Sequence, residues 1–271
     1  MTSYAIRGGA EGARRLNLLA EVMAPSTDAL LGLAGVAAGM TCIDIGCGVG
    51  QVSRALAARV GPRGRVVGLD FDPVKLEEAR RECGRVGVEN VEFRQADVTG
   101  WTEPGAYDVV YGRFIVSHLP DRAGVMRRFA EALRVPGLLI LEDIDFTGAF
   151  CHPPNPAFAR YCELYTRLIE RRGGDANAGA TLHRLCLGAG LRDVKLRVVQ
   201  PAHCDCTPEK ELSLSTLINI GDAAVAEGLI TRSELDEVTA ELAAYTRDDN
   251  TTVGCPRIFQ VWGRTSPHPA T

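Results

Sequence analysis

The sequence predicts an α/β fold built on a parallel sheet, and two observations carry that prediction. First, short aliphatic runs alternate with amphipathic helical patterns from residue 41 to 145. Second, most of these runs are nearly continuous in apolar character and stop at Gly or Asp, as strands buried on both faces do. The runs are TCIDI (41–45), RVVGLD (65–70), VEFRQA (91–96), YDVVYG (107–112) and LLILED (138–143). Strand–helix–strand alternation of this kind winds into a parallel sheet with right-handed crossovers.

The intervening helices carry their own start signals. Asp72-Pro73 supplies an N-cap and an N1 proline, and Leu76, Ala79, Cys83 and Val86 then recur at helical spacing. Asp121 caps a second helix with Val125, Phe129 and Leu133 on one face, expected to run to a stop at Pro136-Gly137. Two later runs, VKLRVVQP (194–201) and RIFQVWGR (257–264), complete the sheet at one edge. Segments 11–38, 154–189 and 208–246 are helical and stand outside the alternation. The first carries an apolar stripe of Leu16, Leu19, Val22 and Met23, and the other two follow strand ends, where open α/β sheets bind ligands. They read as a helical cap on a core spanning 40–145, all within a single domain over 1–271, since no linker-like stretch divides the chain.

Composition narrows the function. With 30 Lys+Arg against 34 Asp+Glu and a net charge of −4, the chain lacks the basic field that grips nucleic acid. Of the basic residues only Lys75, Lys195 and Lys210 are lysine. The apolar run Ala29–Met40 is too short to span a membrane, and MTSYAIRGGAEG has no apolar signal core. The nine cysteines are odd in number and irregular in spacing, which suits reduced thiols in a cytoplasmic protein. Nothing in the chain marks its oligomeric state.

The strongest chemical signal is CIDIGCGVG (42–50), a strand entering a Gly-rich turn that opens the helix QVSRALAARV. Gly46, Gly48 and Gly50 allow close backbone approach of a ligand, and the helix start favours a negative group. A dinucleotide fingerprint would need glycine where Gln51 stands, which disfavours a nicotinamide oxidoreductase. Asp44, Asp70 and Asp97 end three successive strands, so their carboxylates line one rim. A carboxylate at the second strand end suits the two hydroxyls of a ribose.

These motifs resemble the class I S-adenosylmethionine-dependent methyltransferases, in the quinone-biosynthesis-like small-molecule branch. IDIGCGVG is similar to their glycine motif, VVGLDFDP to the ribose motif and QADV to the adenine motif. YDVVYGRFIVSHLPD and ALRVPGLLILEDID are similar to the strand-four and strand-five motifs, with Val135 and Leu138 standing where Lys and the second Gly are usual. The resemblance implies a Rossmann-like, doubly wound seven-stranded sheet, mostly parallel with an antiparallel last strand. It implies S-adenosylmethionine as cofactor, bordered by Gly46, Gly48 and Gly50, with Gln51 in the same set and Asp44 orienting the turn. It further implies that Asp70 holds the ribose, Phe71 packs on adenine, and Asp97 with Val98 reads the exocyclic amine. Arg113 and Phe114 would lie beside the methionine portion and the methyl.

Beyond the cofactor, a methyl acceptor with an O- or C-nucleophile needs a base, for which His118, Asp143 and His203 are the candidates. Tyr4, Glu142, Tyr161 and Tyr165 are candidate substrate contacts, and Tyr4 and Arg15 a candidate lid. By strand alternation Asp143 and Asp145 point one way and Glu142 the other. Plainer readings stand beside these: His118 as part of a structural His-Leu-Pro-Asp turn, and the tyrosines as core. Cys204 and Cys206 flank Asp205 without a second thiol pair at zinc spacing, so no metal is expected. The function expected is methyl transfer to an O, N or C nucleophile of a small, partly apolar molecule. The alternatives are a cofactor-binding cyclase or regulator on the same fold, and a protein or nucleic-acid methyltransferase.

Overall fold

The computed structural model describes residues 9–205 and 207–266. A long helix α1 (Gly9–Ala34) leads into β1 (Thr41–Ile45), α2 (Gln51–Val60), β2 (Arg65–Asp70), α3 (Pro73–Val86) and β3 (Val91–Gln95). Then come β4 (Tyr107–Arg113), α4 (Arg122–Glu131), β5 (Leu133–Asp145), β6 (Phe150–His152), α5 (Pro156–Arg171), α6 (Leu182–Gly188), β7 (Arg192–Val199) and β8 (Ala202–His203). The chain finishes with α7 (Leu212–Ala226), α8 (Arg232–Thr246), β9 (Thr252–Gly254) and β10 (Arg257–Arg264).

Seven strands form one sheet in the order β3-β2-β1-β4-β5-β10-β7. The first five run parallel, and β10 lies antiparallel between β5 and β7, with Gln260 opposite Glu142 on one side and Arg197 on the other. The seven-stranded, mostly parallel sheet with a reversed last strand is therefore present. Its strand order reverses between β1 and β4, which opens a crevice at their carboxyl ends. β1 and β5 are buried almost throughout, as their apolar runs require.

Asp72 caps α3 by accepting from Val74 N–H at 2.9 Å, and Asp121 caps α4 by accepting from Gly124 N–H at 2.8 Å. Both serve the structural part expected of them. Helix α4 nevertheless ends at Glu131, short of Pro136-Gly137. Leu133 leaves the helix and pairs with Tyr107, because the sheet takes up its side chain as completely as the helix would have.

The cap is smaller than the helical segments suggested. Helix α6 packs on the sheet beside α4, where Leu182 and Cys186 join Val125 and Phe129 in one buried cluster. The cap consists of α1, α5, α7 and α8, with Leu164, Leu168, Leu217, Ile220 and Leu242 at its centre. A second, three-stranded sheet, β6-β9-β8, joins the ends of these insertions. Its strands are two or three residues long, too short for a periodic signal. Among the described residues no helix is long and apolar enough to cross a membrane.

One glycine shows how closely the turn after β1 is packed. Gly50 precedes α2 with φ 75°, and a Cβ there would meet the Phe93 ring at 2.8 Å and the Ala79 methyl at 3.0 Å. Gly50→Ala is expected to cost about 2–4 kcal/mol, combining left-handed strain with overpacking, as read from urea denaturation.

Candidate active site

A cavity of about 1630 Å³, its open mouth included, lies between the carboxyl ends of the strands and the cap. The glycine turn forms its floor. Gly46 and Gly48 border it, while Gly50 faces the packing between α3 and β3 and does not. Gly50 is thus corrected from a ligand-facing to a packing residue, because the turn rolls it beneath α2.

The three rim acids do line the cavity, each held differently. Asp70 accepts from Gly48 N–H at 2.9 Å and Asp72 N–H at 3.0 Å, which fixes the glycine turn against the end of β2. Asp97 is more exposed and accepts from the Thr99 N–H and hydroxyl, which hold it below the usual carboxylate range. Asp44 is buried with Ser53 Oγ at 2.7 Å, and burial pushes it up to about 7 against the pull of Ser53 and the Arg113 charge. A folded-state value above the unfolded one means the fold holds a proton that the unfolded chain has released. Asp44 therefore withdraws stability as pH rises from about 4 to about 7. Phe71, Val98, Gln51, Arg113 and Phe114 also border the cavity. Gln51 Nε2 donates to Asn17 Oδ1 at 2.8 Å, linking α2 to α1, and Lys75 Nζ sits 5.7 Å from the Phe71 ring centre. Phe114 adopts φ 54°, unusual for a bulky side chain, and its N–H donates to Glu142 O at 2.8 Å.

Tyr161 and Tyr165 line the opposite wall from α5, where Tyr165 stacks on Phe146 at 4.1 Å between centres. Both are buried, so they build the core of the cap as well as the cavity. Tyr4 lies outside the described residues.

Two candidate acids do not reach the cavity. Glu142 accepts from Thr27 Oγ1 at 2.8 Å, Gln260 Nε2 at 2.7 Å and the Tyr111 hydroxyl, a buried site between α1, β4 and β10. All its nearby donors are committed, so it is a structural anchor and not a substrate contact. Asp143 points to the other face, as alternation predicts, and accepts from Ser117 N–H at 3.0 Å and Ile144 N–H at 2.9 Å. Burial raises it to about 6, yet it braces the loop after β4 and borders no part of the cavity.

The two histidines do border it. Burial, reinforced by the charges of Arg15, Lys75 and Arg172, pushes His118 down to about 3, leaving the ring neutral and weakly basic at neutral pH. Burial also lowers His203, in β8, against the pull of Glu209 and Asp205. Its Nε2 is buried with no hydrogen-bond partner among the described residues. Cys206 lies outside those residues, and among them no three His, Cys, Asp or Glu side chains gather as metal ligands would.

The cap adds Arg15, a candidate lid residue, and two groups that no motif flagged, Lys210 and Ser213. Arg15 is buried on α1, with Nε donating to Thr216 Oγ1 of α7 at 3.0 Å. Lys210, fully buried just before α7, donates to Asp248 O at 2.6 Å and Cys204 O at 3.3 Å. Ser213 follows on the first turn of α7. All three border the cavity. No local pattern in the sequence marks Lys210 or Ser213 as a site residue.

Residues 37–175 match the Methyltransferase domain family. The chain is 30% identical over 132 residues to a demethylmenaquinone methyltransferase of Lactococcus lactis, covering 48% of this chain and 50% of that one. It is 33% identical over 114 residues to the aklanonic acid methyltransferase DauC of a Streptomyces species, covering 42% and 52%. The chain thus spans about half the length of these curated relatives. A structure of a Haemonchus contortus phosphoethanolamine N-methyltransferase, with phosphomonomethylethanolamine and S-adenosylhomocysteine, shares the fold with TM-score 0.56 and 17% identity. That match covers 90% of this chain and 53% of the other.

Glu142→Ala leaves three buried donors without an acceptor and is expected to cost about 3 kcal/mol or more by urea denaturation. Asp143→Asn, which keeps one acceptor oxygen, should cost less than half as much.

Proposed function

The chain belongs to the Methyltransferase domain family, and from that premise we propose that it transfers a methyl group from S-adenosylmethionine to a small, partly apolar molecule held under the cap. The observation that carries the proposal is the rim itself: three carboxylates at successive strand ends around a positive-φ glycine turn, open to one enclosed cavity. Asp44 supplies the test of fit. A buried carboxylate held up to about 7, with only the hydroxyl and backbone N–H of Ser53 as hydrogen-bond partners among the described residues, is a place that a cationic ligand improves. The neighbouring Gly46 has φ 70°, and a Cβ there would already meet Ile115 at 3.1 Å.

S-adenosylmethionine, when bound, supplies a methyl group activated on a positively charged sulfur. In this reading Asp70 receives ribose hydroxyls, Phe71 covers the adenine, and Asp97 with Val98 borders its edge. Asp44, Gly46, Gly48 and Gln51 face the aminoacyl end, beside Arg113 and Phe114. The protein's own work is to align the acceptor with the methyl and to exclude water. The apolar wall of Phe146, Phe158, Tyr161 and Tyr165 supports that work. Neither histidine is a strong base, and Asp143 is sequestered, so the site favours acceptors that arrive already deprotonated. The described cysteines are all free, which fits a reducing, cytoplasmic setting.

Calorimetry should detect S-adenosylmethionine binding that Asp70→Ala weakens about 10- to 100-fold, the worth of hydrogen bonds to a charged group. Absence of binding at millimolar cofactor, or absence of methyl transfer from labelled cofactor to any small acceptor, would sink the proposal. The affinity should also depend on pH. A cation beside Asp44 favours its ionised form, so binding expels a proton below pH 7. Affinity should then fall toward about tenfold per pH unit on acidification and level off above pH 7. Asp44→Asn should flatten that profile.

A further inference from the structure

The cavity sorts its charges by wall. Asp44, Asp70 and Asp97 stand on the strand side, whereas the cap side presents Arg15 and Lys210. Both cap cations are buried, and neither makes an ion pair among the described residues. Among the described residues Arg15 bonds only the Thr216 hydroxyl, and Lys210 only the carbonyl oxygens of Asp248 and Cys204. Two further polar atoms in the same corner, Ser213 Oγ and His203 Nε2, are buried with no partner among the described residues. These groups come from α1, α7, the turn before α7 and β8, so no single local turn accounts for their convergence. Glu209 also borders this corner, but its carboxylate accepts from its own backbone N–H and from Thr207. The other cavity cations are engaged on the cofactor side: Lys75 faces Asp72 and the Phe71 ring, and Arg113 donates to Thr27. Buried cations are retained where a partner offsets their desolvation; the Lys210 charge also reaches the Asp248 carboxylate, and an anionic ligand oxygen would give both cations a further partner.

We propose that the methyl acceptor is an anionic, partly aromatic molecule whose carboxylate or other acidic oxygen is received between Arg15 and Lys210, with Ser213 and His203 completing its hydrogen bonds. The aromatic wall of Phe146, Phe158 and Tyr161 takes the rest of the molecule. Guanidinium and ammonium donors make charge-assisted bonds to such an oxygen, roughly twice as strong as neutral ones. The inference rests on the methyltransferase reading for the ligand's role as acceptor, but not for the anion preference of the corner itself.

The test uses the full chain with 2-naphthoate and its neutral isostere 2-naphthamide, titrated with and without saturating S-adenosylhomocysteine. The wild type is expected to bind the naphthoate at least about tenfold more tightly than the amide. Arg15→Met and Lys210→Met should each bring that ratio close to one, while S-adenosylhomocysteine affinity changes by less than about threefold. Should Lys210→Met not fold, Ser213→Ala is expected to lower the ratio by about threefold, the worth of one modest hydrogen bond. A ratio near one in the wild type overturns the proposal, as does a ratio that survives in the variants. So does an Arg15→Met variant that loses S-adenosylhomocysteine as strongly as naphthoate, because it assigns Arg15 to the cofactor. A wild type that binds no S-adenosylhomocysteine sinks the methyltransferase reading alone, and the cofactor-free ratio still decides this one.

Discussion

The buried carboxylate of Glu142 is the interaction on which the arrangement of this protein depends. It sits near the carboxyl end of β5 and accepts from the Tyr111 hydroxyl of β4, the Gln260 amide of β10 and the Thr27 hydroxyl of α1. Two of those donors lie in the flanking strands, and the third holds α1 across the sheet. Helix α1 in turn carries Arg15 over the cavity, lays Leu16 beside Gly48 and sends Asn17 to Gln51. A carboxylate that borders no part of the cavity thereby helps fix how α1 lies over it. Burying a polar group costs stability unless it is hydrogen-bonded, so the same residue favours one way for these three elements to meet.

The second organising feature is the opposition of charge across one enclosure. Parallel strands deliver their terminal carboxylates to a common edge because each strand–helix unit has nearly the same length. The cap delivers cations from elements distant in sequence, with 201 residues separating Arg15 from Thr216. The low dielectric of an enclosed site strengthens both fields. A cationic and an anionic ligand would therefore be drawn to opposite walls with their reactive ends facing each other.

How much of this was legible in the sequence follows from the range of the signals. The core strands, the caps at Asp72 and Asp121 and the glycine turn rest on local patterns, and the structure has them where they were expected. The fate of Leu133 was not local: the same apolar side chain satisfies a helix face or a strand edge, and the sheet took it. Alternation along β5 correctly separated Glu142 from Asp143, but it did not say which face held the cavity, and neither does. His203 was a candidate by itself, but its meeting with Lys210 and Ser213 was hidden because the three converge only through tertiary packing. The sheet β6-β9-β8 has strands too short to carry a period.

The position of β10 has a consequence for the order in which the fold is completed. This strand is the last in sequence yet lies inside the sheet, between β5 and β7, and it brings Gln260 to Glu142. Until residues 257–264 are available, β5 has an open edge and its buried carboxylate lacks one of its three donors. Closing that gap requires pairing over more than a hundred residues of intervening chain, the kind of long-range contact that forms late and slowly. Pairing of β10 thus closes both the β5 edge and the edge of β7 that faces it, and removes the unpaired backbone that an open sheet edge offers to other chains.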